Sequence, residues 1–419
     1  MIKIFKFGGA SVKDANGIRN LASVIKVTEE KKLVVVVSAM GKITNSLEVV
    51  VSNYFSDRAE LDACISEIYS FHHNIITEVF NNSSHPVFSE VQKLFKDLSY
   101  FLKHSKSKNH AFVYDQVVGF GELASTTIIS AYLSEIKIKN KFLDVRKCIK
   151  TDNNHRDANV DWELTQKNIL NFVNTDEITI TQGFLGAEGI NNFTTTLGRE
   201  GSDYTAAIFG YCLNAKSVTI WKDVPGVLNA DPRYFSKAQL LHRISYREAI
   251  ELAFYGASVI HPKTLQPLQR KEIPLFVKSF FSPLNSGTCV GKGTALDPQI
   301  SCFILKRNLV LISLSSLDFS FIMEDNISVV FKLLHKYKMR VDLIQNSAIS
   351  FSVCVDNKFD NLESLLSKLR ETFKVKWNED VTLYTIRHSQ PKEIQSITKG
   401  KMVLIKQESR DTVQLVVQE

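Results

Sequence analysis

Short apolar runs alternate with longer stretches of helical periodicity through the first part of the chain. The runs predict buried strands at residues 2–7, 33–38, 178–182, 217–221 and 275–279. Glycines follow several of these runs, where strand ends would meet helix starts. The alternation predicts an α/β sheet with helices on both faces, and ligands of such sheets bind at the carboxyl ends of the strands.

The pattern changes near residue 295, because 17 of the 18 glycines lie at or before Gly293. Between residues 53 and 110, apolar positions at three- and four-residue steps predict a pair of helices with a break at 81–85. After residue 300 the order becomes strand, helix, strand, strand, helix, which is ferredoxin-like. Three later strand candidates and a short helix form an abridged second copy. We therefore predict three domains, at 1–293, 300–378 and 379–419.

Composition and charge exclude several classes of protein. Hydrophobic residues make up 44% and charged residues 23%, which is ordinary for a globular protein. The net charge of +7 is a mild excess, and no basic stripe with interleaved aromatics occurs, so we expect no nucleic-acid partner. The six cysteines form no CxxC pair and the histidines do not cluster, so we predict neither a metal site nor disulfides.

The sequence gives no sign of a membrane or of export. Its longest convincing apolar stretch, at 33–37, is far shorter than the ~20 residues that a bilayer crossing needs. The first twelve residues contain lysines and a glycine pair in place of the apolar core of a signal peptide. We therefore expect a cytoplasmic protein with no membrane partner.

Two common phosphate-binding fingerprints fit poorly. A P-loop at 39–43 would need glycine at Val36 and a hydroxyl at Ile43, and is rejected. Residues 119–124 spell G-x-G-x-x-A, with Asp144 about twenty residues later, as a dinucleotide site would require. Only two valines precede it as a strand, so the dinucleotide site is the weaker hypothesis.

The end of the first predicted strand is a stronger phosphate candidate. Lys6 is followed by Gly8 and Gly9, whose backbone N–H groups can approach phosphate oxygens closely. The lysine can neutralise charge on a transferring phosphoryl group. A tight Gly-Gly turn with a solvated lysine explains the same residues equally well.

Two later segments also concentrate charged and hydroxyl side chains. Residues 194–205 place an arginine, hydroxyls and Asp203 between glycines, and an arginine fork can grip a carboxylate at two points. Helix capping by Ser202 or Asp203 is compatible with that function. Residues 221–233 place two basic and two acidic residues around a Pro-Gly turn, which a solvated charged loop explains nearly as well.

Taken together, these segments resemble the aspartate kinases of the amino-acid kinase superfamily. The matching text runs in family order from residue 1 to about 293: KFGGASV, VSAMGKITN, FGE, DVRKCIKTD, TQGFLG, TTTLGREGSDYTAA, WKDVPGVLNADPR and GASVIHPKTLQP. The C-terminal part resembles, more loosely, the ACT regulatory region of the same enzymes. The resemblance implies a three-layer kinase sheet with helices on both faces, followed by α+β ferredoxin-like ACT domains.

The resemblance also implies an activity: ATP phosphorylates the side-chain carboxylate of L-aspartate, giving 4-phospho-L-aspartate on the route to lysine, threonine and methionine. Mg²⁺ would be carried on the ATP phosphates. Catalysis is assigned to Lys6 and Asp203. Substrate binding is assigned to Ser38, Thr44, Glu122, Arg199 and Ser202, and ATP binding to Lys6, Gly8, Gly9, Lys222, Asp223, Gly226, Leu228, Asp231, Arg233, Ser258 and Lys263.

Some positions depart from the family pattern. Ser258 stands where the family often has the lysine of a GAK motif, and Lys263 is the candidate replacement. Ala10 replaces a common threonine, and Leu228 replaces a tyrosine found beside the nucleotide in some members. Each change removes one expected nucleotide contact.

By the same resemblance, an effector would bind between ACT units, near Met323, Ile327, Val341 and Asp342. Asp342 matches a family acid that can meet an effector amine, whereas the loop before the helix lacks the usual glycine-bearing turn. Feedback by lysine or threonine and an unregulated dimerisation module remain equal alternatives. In either case we expect a homodimer formed through the ACT region.

Two rival functions are retained. One is another amino-acid kinase, such as a glutamate or acetylglutamate kinase, although those sites lack the combined GREGSD and FGE signature. The other is a catalytically retired amino-acid sensor, which the joint presence of Lys6, Glu122, Arg199 and Asp203 argues against.

Overall fold

The computed structural model describes residues 1–173, 176–257, 260–293, 295–318 and 321–418. The chain divides into two compact units. The first contains Met1–Val227, Leu240–Ile250 and Ser258–Pro298, and the second contains Leu228–Gln239, Glu251–Ala257 and Gln299–Glu419. The second unit thus includes two short segments from the middle of the chain besides its C-terminal part. The domain boundaries drawn from the sequence, including the one at 378/379, stay predictions.

The first unit is built on two sheets. The larger contains β1 (Lys3–Phe7), β2 (Leu33–Val37), β3 (Asn140–Leu143), β5 (Ile178–Gln182), β8 (Ser217–Lys222), β9 (Arg243–Ser245), β10 (Leu275–Ser279) and β11 (Thr288–Gly291). Their order is β3-β5-β2-β1-β8-β10-β11-β9, parallel except between β10 and β11. The smaller sheet contains β4 (Lys150–Thr151), β6 (Leu185–Glu188) and β7 (Thr194–Thr196). All five strands predicted for this part are confirmed.

Helices cover this sheet. They are α1 (Ala15–Thr28), α2 (Ile43–Ser56), α3 (Leu61–Val79), α4 (Pro86–His104), α5 (His110–Glu135), α6 (Trp162–Phe172), α7 (Gly201–Cys212), α9 (Pro262–Arg270) and α8 (Tyr246–Tyr255), which ends in the second unit. Every residue of β2 is buried, as expected for a strand covered on both faces. The predicted helical pair is confirmed as α3 and α4.

Helix α5 bears on two interpretations made from the sequence, one about a dinucleotide site and one about membrane spans. The G-x-G-x-x-A segment at 119–124 lies inside this helix and not between a strand and a helix, so the dinucleotide hypothesis is wrong. Among the described residues, α5 is also the one helix long and apolar enough to cross a membrane by length and composition. About 67% of that apolar window is buried within the fold, as in the core helix of a globular protein.

The second unit contains a six-stranded antiparallel sheet. Its strands are β12 (Cys302–Ser315), β13 (Arg340–Asn346), β14 (Ser350–Asp356), β15 (Lys374–Arg387), β16 (Met402–Glu408) and β17 (Thr412–Gln418), and its helices are α10 (Glu324–Lys336), α11 (Leu362–Leu369) and α12 (Pro391–Thr398). The strand order is β13-β14-β12-β15-β17-β16. The ferredoxin-like order predicted after residue 300 is confirmed, and apolar residues of α10 and α11 pack on the sheet in one core.

Candidate active site

A cavity of about 450 Å³ lies at the carboxyl ends of β1, β2 and β8, beside the N-terminus of α7. This is the edge at which open α/β sheets bind ligands. The cavity brings together eight residues selected from the sequence: Lys6, Ser38, Thr44, Glu122, Arg199, Ser202, Asp203 and Lys222. Catalytic, substrate-binding and ATP-binding candidates from five of the sequence motifs therefore meet in one place.

A buried carboxylate bound by two lysines forms the charged centre of this cavity. Lys6 Nζ lies 2.6 Å from Asp203 Oδ1, and Lys222 Nζ lies 3.7 Å from Asp203 Oδ2. Parallel pairing of β1 with β8 places both lysines on neighbouring strands. Burial raises the pKa of Asp203, but the attraction of the two lysines outweighs it and holds the pKa below its ordinary value. The site thus holds a carboxylate that stays ionised.

Glu122 is a second buried carboxyl group, and its pKa is shifted in the opposite direction from that of Asp203. It projects from α5 and is only 3% exposed. Burial raises its pKa to about 8, although the backbone N–H of Ala39 and the charge of Lys6 both act to lower the pKa. Its Oε2 atom has no hydrogen-bond partner among the described residues. A buried carboxylate oxygen of this kind favours a cationic or N–H-bearing ligand.

Close backbone approaches explain several glycines of the motifs. A Cβ on Gly183 would collide with Ser202 at the start of α7, so the chain after β5 can lie this close to α7 only without a side chain. A Cβ on Gly9 would lie 2.8 Å from the carbonyl oxygens of Ala39 and Gly41. Gly8 and Gly9 themselves do not line the cavity, although Gly8 lies next to the Lys6 ammonium.

Most nucleotide candidates are not brought into this cavity. Asp223 lines a separate cavity of about 580 Å³, beside the first turn of α1. Gly226 (φ 155°) packs against Thr288 of β11. Lys263 Nζ is bound to Asp157 at 2.7 Å and to the carbonyl of Leu197 at 2.9 Å.

The other nucleotide candidates lie elsewhere in the chain. Leu228, Asp231 and Arg233 belong to the second unit, and the last two form an exposed ion pair with each other at 2.6 Å. Ser258 lies outside the described residues. The assignment of all these residues to ATP stays a prediction.

The effector candidates all lie in the second unit. Met323 precedes α10, Ile327 lies within it, and Val341 and Asp342 lie on β13. The carboxylate of Asp342 is buried and bound to Lys306 at 2.6 Å. The acid predicted to meet an effector amine therefore already has a lysine ammonium from its own chain.

Six lining residues of the cavity were not selected from the sequence: Tyr114, Arg156, Phe184, Gly198, Glu200 and Gly201. Arg156 and Glu200 have φ values of 73° and 53°, in a region that favours glycine. A sequence pattern does not predict this backbone conformation for an arginine or a glutamate. No group of three or more His, Cys, Asp or Glu within the described ranges is arranged to hold a metal ion.

Comparisons with known proteins agree with this geometry. The model of the amino acid kinase family matches residues 1–279. The lysine-sensitive aspartokinase 3 of Escherichia coli is 33% identical over 404 residues, covering 92% of this chain and 86% of the relative. The chloroplastic aspartokinase 1 of Arabidopsis thaliana is 32% identical over 369 residues, covering 84% of this chain and 63% of the relative.

Solved structures give the same result. The crystal structure of E. coli aspartokinase III in complex with lysine and aspartate has a TM-score of 0.85 at 30% identity, covering 99% of this chain and 96% of that one. The same enzyme in complex with aspartate and ADP has a TM-score of 0.81 at 29% identity, covering 100% and 96%. The chain therefore belongs to the amino acid kinase family and, within it, to the aspartokinases.

Proposed function

We propose that this protein transfers the γ-phosphoryl group of ATP to the side-chain carboxylate of L-aspartate, giving 4-phospho-L-aspartate and ADP. The observation that carries the proposal is the cavity in which Lys6, Asp203 and Lys222 meet Glu122 and Arg199. The similar E. coli enzyme has been solved with aspartate and ADP, which supports the same substrates here.

The side chains fit the requirements of this reaction. An oxygen of the substrate's side-chain carboxylate attacks the γ-phosphorus, and the bond to the β,γ-bridging oxygen breaks as ADP leaves. Because this nucleophile is already ionised, catalysis is positioning and charge stabilisation. Lys6 stabilises the transferring phosphoryl group, and Asp203 orients Lys6. Arg199 binds the α-carboxylate and Glu122 the ammonium of the substrate.

Hydroxylamine trapping of the acyl phosphate tests this function. The assay uses MgATP with L-aspartate, L-glutamate or N-acetylglutamate as acceptor. We expect hydroxamate with L-aspartate alone. Product with another acceptor would make the protein a different amino-acid kinase, and no product with any acceptor from a folded protein would favour the retired sensor.

We further propose Mg²⁺ as a companion of the nucleotide, a cytoplasmic location, and a homodimer formed through the ACT region. The ion pair of Asp342 with Lys306 bears on feedback, because the lysine already neutralises the carboxylate that an effector ammonium would bind. The similar E. coli structure with lysine bound supports lysine over threonine as effector. Loss of hydroxamate formation on adding lysine, with no loss on adding threonine, is the expected result.

A further inference from the structure

Arg156 is a second arginine of the substrate cavity, to which neither the sequence motifs nor the family resemblance assigns a role. It lines the cavity together with Arg199, and both side chains are exposed. Its backbone has φ 73°, in the left-handed region that is strained for L-amino acids and favours glycine. A residue kept in that conformation needs surroundings that hold it there.

A buried carboxylate holds the backbone of Arg156. Asp115 on α5 is fully buried, and its Oδ1 and Oδ2 atoms accept the backbone N–H of Arg156 at 3.2 and 3.1 Å. The same carboxylate accepts the Thr196 hydroxyl at 2.7 Å and lies 2.8 Å from His155 Nδ1. The loop is thus fixed to both α5 and β7, and the Arg156 side chain begins from a fixed point.

An aromatic ring directs the guanidinium group. The Arg156 Cζ atom lies 4.3 Å from the centre of the Tyr114 ring, within cation–π range. The Tyr114 hydroxyl donates to Glu48 Oε1 at 3.1 Å, which anchors the ring. The guanidinium group has no ion pair among the described residues, whereas Lys6 is paired with Asp203. A fixed arginine without an anion in this cavity suits an anionic ligand group.

We propose that Arg156 binds the α-carboxylate of L-aspartate together with Arg199, as a two-arginine clamp. The inference rests on the proposed function. The side-chain carboxylate is the nucleophile, and strong hydrogen bonds from an arginine would lower its reactivity. The α-carboxylate does not react, so it can accept charge-assisted hydrogen bonds from two planar guanidinium groups without slowing transfer. Arg156 then determines which acceptors bind and takes no part in the chemical step.

The main test is Arg156→Gly, with Arg156→Lys as the conservative partner. Glycine adopts φ 73° without strain and keeps the N–H that binds Asp115, so the loop should be retained. The matched control is Arg58→Ala, because Arg58 stacks over Tyr54 at 4.1 Å in the same manner outside the cavity. KM for L-aspartate, KM for MgATP and kcat are measured for each variant by hydroxylamine trapping.

We expect Arg156→Gly to raise KM for L-aspartate about 10- to 100-fold, the effect of losing a charge-assisted hydrogen bond. KM for MgATP and kcat should stay within about threefold, and Arg156→Lys should recover part of the loss. The control should match the wild type. An unchanged KM for L-aspartate would overturn the proposal, as would a fall in kcat with a raised KM for MgATP, since the guanidinium would then act on phosphate.

An acceptor without the α-carboxylate separates a clamp from a general structural role. β-Alanine keeps the ammonium and the reacting carboxylate, so its kcat/KM should be the same in wild type and Arg156→Gly; an equal loss with both acceptors refutes the clamp. A further explanation is that Arg156 acts only by neutralising the charge of Glu200, another lining residue of the cavity. The substitution Glu200→Gln removes that charge and tests this explanation. If Arg156→Gly/Glu200→Gln restored the wild-type KM for L-aspartate, Arg156 would serve Glu200 and the clamp would be wrong.

Calorimetric titration with L-aspartate in the absence of ATP separates this inference from the proposed function. Weaker binding by Arg156→Gly than by wild type supports the clamp even where no hydroxamate forms. Equal binding by the two proteins overturns it while leaving a kinase function intact. A folded wild type that neither binds nor phosphorylates L-aspartate would refute the proposed function and the clamp together.

Discussion

Replacing Glu122 with glutamine should make the protein more stable, and increasingly so as the pH rises. Burial raises the pKa of this carboxyl group from 4.5 to about 8. The folded protein therefore binds the proton more tightly than the unfolded chain, and the free energy of unfolding falls as pH rises from about 4.5 to about 8. The full loss is about 5 kcal/mol at 1.36 kcal/mol per pH unit, and an uncharged glutamine of nearly the same shape avoids it.

The assay is urea unfolding of wild type and Glu122→Gln across this pH range, without substrate. The stability advantage of the variant should grow by about 1.4 kcal/mol per pH unit between about pH 4.5 and 8, then stay constant. Saturating L-aspartate should reduce that advantage at high pH, because its ammonium pairs with the ionised carboxylate of the wild type. Glu67→Gln, at an exposed glutamate of α3, is the matched control.

A constant difference between wild type and Glu122→Gln across the pH range would refute this reasoning. It would mean that the Glu122 carboxylate is solvated in the folded protein, contrary to its 3% exposure. An advantage that falls with rising pH would contradict the sign of the argument, since it would require an ionised Glu122 to be stabilised by the fold.

Two further predictions concern the charged centre and its backbone. Lys6→Met should reduce kcat about 10²- to 10³-fold with little change in KM for L-aspartate, because it removes a charge that stabilises the transferring phosphoryl group. Hydroxylamine trapping measures kcat, and an undiminished rate would show that Lys6 does not have this role. Gly183→Ala should raise KM for L-aspartate and lower the melting temperature, since its methyl group collides with Ser202; wild-type values for both would contradict the close approach.

Strong periodicity made the secondary structure predictable, whereas the short fingerprint at 119–124 did not predict its own structural context. Strands such as β5 and β10 were delimited correctly because their apolar runs are bounded by polar residues and turns. The fingerprint at 119–124 was misleading because its glycines serve helix packing. A Cβ on Gly121 would lie 3.0 Å from the Ala39 side chain, so glycine there allows α5 to approach the end of β2.

The charged centre of the cavity was predictable, and its outer part was not. Lys6 and Asp203 lie in recognisable motifs, and the structure pairs them at 2.6 Å. The position of Arg156 depends on a positive φ and on a carboxylate at Asp115, which is 41 residues away in sequence. Sequence reasoning assumes ordinary backbone for an arginine, so it had no means of directing this side chain into the cavity.

The two buried carboxyl groups of the cavity differ in a way that favours amino acids with a free ammonium. Asp203 is held ionised by Lys6 and Lys222, so it can orient Lys6 whether or not a substrate is bound. Glu122 is protonated at neutral pH until a cation arrives, because burial raises its pKa to about 8. An acceptor with an ammonium offsets the cost of ionising Glu122, whereas an N-acetylated acceptor cannot. The same burial that destabilises the empty site therefore discriminates against N-acylated substrates.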